Sequence, residues 1–113
     1  MRALSLALLM LAMATAQAMQ CSAVSARTTT ALVELYTSEG CDSCPPADRW
    51  LSSLGAKGYA PDRLVPIALH VDYWDYIGWK DPYARQAYSA RQRKMAALAR
   101  VAMVYTPQVL LQG

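Results

Sequence analysis

Short apolar runs separated by polar, turn-prone stretches dominate the chain after its first thirty residues. Residues 31–36 form a run of strand length that is followed by the turn-prone Thr-Ser-Glu-Gly at 37–40, and residues 109–111 form a shorter run. Between them lies the run 64–71, in which Pro66 cannot donate to a strand ladder. The pattern predicts strands at 31–36 and 109–111, and a third that covers 67–71 or lies at a sheet edge.

Helical periodicity fills the two intervals between these runs. The first stripe ends at Gly55, and its apolar members are Ala47, Trp50, Leu51 and Leu54. Because Pro46 disfavours helical angles at Pro45, we expect this helix to begin late. Asp81-Pro82 is typical of an N-cap followed by proline, and predicts a second helix that continues to about Arg100. Its predicted apolar face consists of Ala84, Ala87, Tyr88, Met95 and Leu98.

The order strand, helix, strand, helix, strand predicts an α/β fold. Right-handed crossovers place 31–36 and 67–71 in parallel in one sheet, with their carboxyl ends on the same rim. Ligands and chemistry collect at that rim in open sheets. The residues gathered there are Cys41, Cys44, His70 and Asp72.

The first eighteen residues are typical of a secretory signal peptide. Arg2 gives a positive start, residues 3–14 are almost entirely apolar, and small residues at 14–18 suit cleavage. The stretch is too short for a retained anchor, because a membrane span needs roughly 20 apolar residues. We expect a leader over 1–18, and a secreted or periplasmic protein without a stable membrane span after cleavage. A flexible lead-in over 19–30 and one domain over 31–113 would follow.

Composition and charge narrow the classes of function. A chain of 113 residues with 55% hydrophobic and 17% charged positions fits one small folded domain rather than a disordered protein. The formal net charge of +3 is too small to indicate a nucleic-acid binder or a polybasic membrane anchor. The basic residues of the second helix lack interleaved aromatics, so we predict no nucleic-acid partner.

The three cysteines carry the candidate chemistry, and an exported protein would meet oxidising conditions. Cys41 and Cys44 have the C-x-x-C spacing at the start of a helix, whereas Cys21 is an odd thiol in the polar lead-in. A redox-active pair is favoured over an inert disulfide. A copper or zinc site made of Cys41, Cys44 and His70, with or without Cys21, is the minority interpretation. We expect no cofactor.

Three blocks of the sequence resemble a known family. They are residues 33–48, which contain the C-x-x-C pair, the aromatic-rich residues 70–82, and Tyr-Thr-Pro-Gln at 105–108. Together they resemble exported bacterial proteins of the domain of unknown function 1223 family. A strand that leads into C-x-x-C, with Thr-Pro ahead of a later strand, also resembles the thioredoxin-like fold. The resemblance implies a mixed sheet with flanking helices, export and a thiol pair, but no substrate.

The same resemblance implies that the domain continues beyond Gly113. A thioredoxin-like sheet has a further hairpin strand and a covering helix, and we expect this chain to lack both. Residues 109–111 would then form an uncovered apolar edge, and such edges favour association between chains. The chain is therefore expected to aggregate or dimerise through 109–111.

Roles for individual residues follow in part from the resemblance. It implies that Cys41 is the more exposed nucleophile, that Cys44 is the resolving thiol, and that Pro107 is a cis proline facing the sulfurs. We place substrate binding at the rim and the aromatic loop, namely at Thr106, Tyr73, Trp74, Trp79 and His70. An equally good interpretation of the loop is that its aromatic side chains only cover the core.

The predicted function is thiol–disulfide exchange on cysteine-containing periplasmic proteins or small disulfides, with an unidentified electron donor or acceptor. The acids Glu39, Asp42 and Asp48 near the pair disfavour thiolates, and Arg49 is the only nearby base. A comparatively reducing pair is therefore expected. The competing hypothesis is a non-catalytic binding module for a metal ion or, through residues 73–79, for a partner protein.

Overall fold

The computed structural model describes residues 21–113, and the predicted leader lies outside them. Within this range the order of elements is the predicted one. The elements are β1 (Ala31–Thr37), α1 (Pro45–Ser53), β2 (Leu64–His70), α2 (Gln86–Leu98) and β3 (Gln108–Leu111), with a short 3-10 helix at Asp75–Ile77. No helix of these residues is long and apolar enough to cross a membrane.

The three strands form one mixed sheet in the order β2-β1-β3. β1 is central, runs parallel to β2 and antiparallel to β3. Pro66 therefore lies in an edge strand, where a missing backbone donor is tolerated. Two register pairs, Thr37 with His70 and Tyr36 with Gln108, bring the carboxyl end of β1 beside the end of β2 and the start of β3. The prediction of a small α/β fold with a mixed sheet is confirmed.

Alternate residues of β1 face two different cores, as the two-residue period of a strand requires. Val33 and Leu35 pack with Leu51 and Leu54 at the α1 end of the domain. Tyr36 packs on the other side with a second set, in which Leu69 and Val71 are buried and Ile67, Tyr73, Trp74, Tyr88 and Leu110 are partly buried. Each face of the central strand thus has its own apolar cluster.

The start of α1 differs from the predicted late start. The helix begins at Pro45, with Cys44 as its N-cap. Both prolines lie in the first turn, where the backbone N–H has no partner within the helix and the fixed φ of proline suits helical geometry. The prediction of a late start was wrong, and as a result Cys44 adjoins the helix directly.

The start and packing face of α2 also differ from prediction. The helix begins at Gln86 with Arg85 as an extended N-cap, so Asp81 does not cap it. Its fully buried residues are the polar Ser89 and Gln92, whereas Leu98 is exposed. The predicted apolar face is confirmed only in part, because Tyr88 packs on the second core cluster whereas Ala87 and Leu98 are exposed. Hydrogen bonds between the buried Ser89 and the Asp72 N–H and between the buried Gln92 and Gln108 also join α2 to the rest of the domain.

The last strand exposes apolar side chains on one side of the sheet. Val109 and Leu111 are exposed although β3 pairs with β1. They help to line a cavity of about 420 Å³, with Val33, Trp50, Leu54, Lys57, Tyr59 and Leu64. Association through residues 109–111 stays a prediction.

Candidate functional site

A disulfide between Cys41 and Cys44 closes the turn that joins β1 to α1. The Cys41 N–H donates to the Ser38 carbonyl at 3.1 Å, and the Cys44 N–H donates to the Cys41 carbonyl at 3.3 Å. Asp48 continues the series, because its N–H donates to the Cys44 carbonyl at 3.0 Å. Backbone hydrogen bonds therefore hold both cysteines at the N-terminus of α1. Cys21 is a free, exposed thiol.

Both cysteines are almost inaccessible to solvent in the disulfide form. Cys41 is 3% exposed and Cys44 is fully buried. The order of exposure in the disulfide form is the predicted one, although Cys41 is itself almost buried. The Ser43 hydroxyl lies 3.6 Å from the Cys41 sulfur. An attacking thiol must therefore reach a sulfur that is almost covered.

The segment that precedes β3 is anchored by side chains from two other elements. The Thr106–Pro107 peptide bond is cis, as predicted. The indole N–H of Trp74 donates to the Thr106 hydroxyl at 2.7 Å. From α2, the buried Gln92 amide donates to the Tyr105 carbonyl at 2.9 Å and to the Gln108 side chain at 2.8 Å. Nothing in the sequence pattern identified Gln92, because a polar residue on a helix is ordinarily exposed.

The aromatic loop, residues 73–79, packs against the disulfide turn. A side chain at Gly40 would meet the Cβ of Trp74 at 3.2 Å and its carbonyl oxygen at 3.3 Å, so glycine permits this close approach. Trp79 lies on the same turn, where its indole N–H donates to Glu39 Oε2 at 2.7 Å. The loop thus connects the disulfide turn to Thr106.

The aromatic side chains of the loop fall into a partly buried set and an exposed set, and a binding role for the exposed set stays a prediction. Tyr73 and Trp74 are partly buried in the second core cluster, and the Tyr73 hydroxyl donates to Gln92 at 2.9 Å. Tyr76 and Trp79 are 81% and 58% exposed. The loop therefore covers the core with one set of rings and presents another set to solvent.

The His70 imidazole is hydrogen-bonded to an acidic residue of the loop before α2. Its Nδ1 lies 2.6 Å from Asp81 Oδ2. The same carboxylate accepts the Glu39 N–H at 2.9 Å and the Tyr83 N–H at 2.8 Å. The Tyr83 ring packs edge-on to the imidazole at 5.4 Å between centroids. Asp81, which the sequence suggested as a helix cap, instead joins the end of β2 to the disulfide turn.

The charge state of Asp81 follows from opposing effects. Burial alone raises the pKa of this carboxyl group, because an anion is poorly solvated inside the protein. The hydrogen bonds from the Glu39 N–H, His70 and the Tyr83 N–H outweigh burial, and the pKa of Asp81 lies below its ordinary value of 3.8. Asp81 is therefore a carboxylate at neutral pH.

The remaining rim residues do not form a metal centre. Within residues 21–113, no three histidine, cysteine, aspartate or glutamate side chains form a group that could hold a metal ion. His70 is engaged by Asp81, and Asp72 accepts a hydrogen bond from the Ser89 hydroxyl of α2. The structure thus does not assemble Cys41, Cys44 and His70 as ligands.

These features define a small α/β domain with a disulfide at the start of its first helix. A family model described as a protein of unknown function, DUF1223, matches residues 32–113, and the chain belongs to that family. It is similar to the crystal structure of protein AGR_C_4864 from Agrobacterium tumefaciens, with 43% sequence identity and a TM-score of 0.67. That alignment covers 78% of this chain, which spans about 38% of the other. A search of curated proteins found no match.

Proposed function

We propose that this protein is an exported, thioredoxin-like thiol–disulfide oxidoreductase in which Cys41 and Cys44 exchange electrons with cysteine-containing proteins or small disulfides. The observation that carries the proposal is the position of the disulfide. It lies directly after the central strand, at the first turn of α1 and on the rim shared with His70 and Thr106. An internal disulfide at a helix start has both an attacking and a resolving sulfur, as exchange requires.

In the proposed reaction an incoming thiolate attacks the Cys41 sulfur. A mixed disulfide forms, the Cys41–Cys44 bond breaks, and its electron pair passes to the Cys44 sulfur. In the reverse direction the same two sulfurs reduce an external disulfide. Cys44 is the N-cap of α1, and the partial positive charge at a helix N-terminus stabilises a thiolate there.

Two features of the site support a reducing pair that reacts faster with a protein partner than with small thiols, rather than a strong oxidant. The exposed Glu39 and Asp42 disfavour a second negative charge on a neighbouring sulfur, so the thiolate form gains little stability. The low exposure of Cys41 also limits attack by small thiols in bulk solution. We expect slow reaction with small reagents, and a faster one with a protein that engages the rim.

Export is part of the same proposal. The leader-like residues 1–18 would bring the domain into a compartment in which disulfides form and persist. A reducing pair in that compartment needs a separate electron donor, and a partner of this kind is expected.

The direct test is reduction of insulin disulfides by the full chain, with dithiothreitol as electron source. We expect turnover that is lost in Cys41→Ser and in Cys44→Ser. Cys21→Ser is the matched control, because Cys21 is an exposed thiol outside the disulfide. Equal rates for Cys41→Ser and the parent protein would refute exchange at this pair.

A binding module for a partner protein is the second candidate, and the exposed rings of Tyr76 and Trp79 favour it. Aromatic side chains that remain exposed are frequent anchors of protein interfaces. Replacement of both by serine separates the two functions. If the loop serves exchange, reduction of insulin falls while reduction of the internal disulfide by dithiothreitol is unchanged. A disulfide that never cycles would leave binding as the function. No observation within residues 21–113 favours the metal-binding alternative.

A further inference from the structure

We propose that His70 and Asp81 form a proton-transfer pair for the Cys41–Cys44 disulfide, in which His70 exchanges the proton and Asp81 is its positioning residue. The inference rests on the proposed function, because it concerns the chemistry of the same site. It adds a proton acceptor to a site whose cysteines supply only the electrons.

The first support is the fixed geometry of Asp81. Its side chain is fully buried, and both carboxylate oxygens accept hydrogen bonds. Oδ2 accepts from His70 Nδ1 at 2.6 Å and from the Glu39 N–H at 2.9 Å, and Oδ1 accepts from the Tyr83 N–H at 2.8 Å. Such a carboxylate holds the imidazole in one orientation.

The second support is the tautomer that this geometry selects. A carboxylate only accepts hydrogen bonds, so His70 Nδ1 must carry a proton. The lone pair of the neutral ring is then on Nε2, which receives no hydrogen bond from residues 21–113. The His70 side chain is 21% exposed, so this nitrogen belongs to a ring that solvent can reach. A histidine of this kind is a ready proton acceptor.

The third support is the position of the pair beside the disulfide turn. His70 ends β2 opposite Thr37, which ends β1. The Glu39 N–H, which shares Asp81 Oδ2 with His70, lies two residues before Cys41 in the sequence. One carboxylate oxygen therefore connects the imidazole to the backbone of the turn that carries the disulfide.

The proposed step balances protons and electrons. The thiol proton of a substrate dithiol passes to His70 Nε2, and the resulting thiolate attacks the Cys41 sulfur. The Cys41–Cys44 bond breaks, Cys44 receives its electron pair, and the imidazolium returns the proton to that sulfur. The second substrate thiol then attacks the mixed disulfide and releases Cys41, and its proton ends on Cys41. The substrate becomes a disulfide and the pair becomes two thiols.

The titratable side chains in contact with the imidazole are Asp81 and Tyr83. Three other charged residues are close in the network and must be considered in a pH profile: Glu39 and Arg85, whose backbone N–H groups donate to Asp81 and to the His70 carbonyl, and Asp75, whose carboxylate accepts the Asp81 N–H. None of these is a histidine, and the chain contains only one. A pH dependence that disappears in His70→Asn can therefore be assigned to the imidazole.

The test measures the rate at which dithiothreitol reduces the disulfide of the full chain between pH 5 and 9. His70→Asn keeps a donor toward Asp81 but cannot exchange a proton, and Asp81→Asn removes the acceptor. Asp62→Asn is the control, because it also removes a carboxylate but lies near the opposite end of β2. Unfolding midpoints establish that each variant is folded. If Asp81→Asn does not fold, the rates of His70→Asn alone test the proposal.

The expected signature is a pH-dependent ratio of the parent rate to the His70→Asn rate. The direct reaction needs reagent thiolate, which becomes scarce below pH 8, whereas the His70 path uses the abundant thiol. The ratio should reach about a hundredfold at pH 6, the low end for a positioned acid or base, and fall toward one above pH 8. Nitrogen-15 NMR of the single histidine should show the Nδ1–H tautomer when the ring is neutral.

A flat ratio across the pH range, or an Nε2–H tautomer, would overturn the proton-transfer pair while leaving exchange intact. A disulfide that dithiothreitol cannot reduce in the folded parent protein would overturn both proposals. The two failures are therefore distinguishable.

Discussion

Replacement of Arg91 by alanine should destabilise the domain, because it leaves the buried carboxylate of Glu34 without its counter-charge. Glu34 lies in the central strand with its side chain fully buried. Its Oε1 accepts from Arg91 Nε at 2.5 Å and from the Tyr36 hydroxyl at 3.2 Å. Its Oε2 has no hydrogen-bond partner among residues 21–113. Arg91 is thus the counter-charge of a carboxylate that has few other means of stabilisation.

The magnitude follows from the burial of the two partners. Removal of one member of a fully buried pair costs about 3–5 kcal/mol, because the other charge is left uncompensated. The Arg91 side chain is 46% exposed, so water screens one side of this pair and the cost is reduced. We expect Arg91→Ala to lower the free energy of unfolding by about 2 kcal/mol, which lowers the melting temperature by about 10 °C in a domain of this size.

The assay is thermal and urea unfolding of a double-mutant cycle with Glu34→Gln. The double variant should lose less stability than the sum of the two single variants, because Arg91→Ala no longer leaves a charge stranded. Lys94→Ala is the matched control, since Lys94 is an exposed cation of the same helix. A loss for Arg91→Ala that is no larger than for Lys94→Ala, with additive effects in the cycle, would refute the reasoning.

Three further predictions concern other buried polar groups. Gln92→Leu should lower the free energy of unfolding by about 2–3 kcal/mol, because it removes the hydrogen-bond partner of Tyr73, Tyr105 and Gln108. Gln86→Leu, at an exposed site of the same helix, should change this free energy little. Burial first and then the charge of Glu34 raise the pKa of Tyr36 to about 12, so a spectrophotometric titration should show one phenol that ionises last. The stability that the raised pKa of Tyr36 contributes is fully present below pH 10 and is lost as the pH rises through 12. A titration in which every tyrosine ionises near pH 10 would contradict this prediction. The pKa of Asp81 is lowered in the folded protein, so its carboxylate stabilises the fold above the ordinary pKa of 3.8, and this stabilisation is lost at lower pH. Asp81→Asn should therefore cost more stability at pH 7 than at pH 3.

The sequence pattern was most informative where a residue's role depends on its near neighbours. The apolar runs identified the three strands, and the C-x-x-C spacing identified the disulfide, because both are local features. The cis Thr106–Pro107 bond followed from resemblance to a family. Gly55 also lies where α1 has ended, as a stop signal should.

The local sequence pattern did not predict the roles of residues whose partners are distant in the sequence. Asp81-Pro82 has the composition of a helix start, yet Asp81 is used by His70 and by the N–H groups of Glu39 and Tyr83. Gln92 and Glu34 are buried because partners distant in sequence satisfy at least part of their hydrogen-bonding capacity. Neither pairing leaves a periodic signal in the chain. The same is true of the low exposure of Cys41, which depends on the packing of the folded rim.

The most direct test of the central claim is an equilibrium redox titration of the Cys41–Cys44 pair in the full chain. The fraction of disulfide is measured by trapping and mass analysis across dithiothreitol and glutathione buffers. The account predicts a reversible two-electron transition at a potential below about −200 mV, in the range of reducing thiol–disulfide proteins, that is unchanged in Cys21→Ser. A pair that stays oxidised in every buffer that leaves the protein folded, or one that titrates near −120 mV as a strong oxidant does, would contradict it.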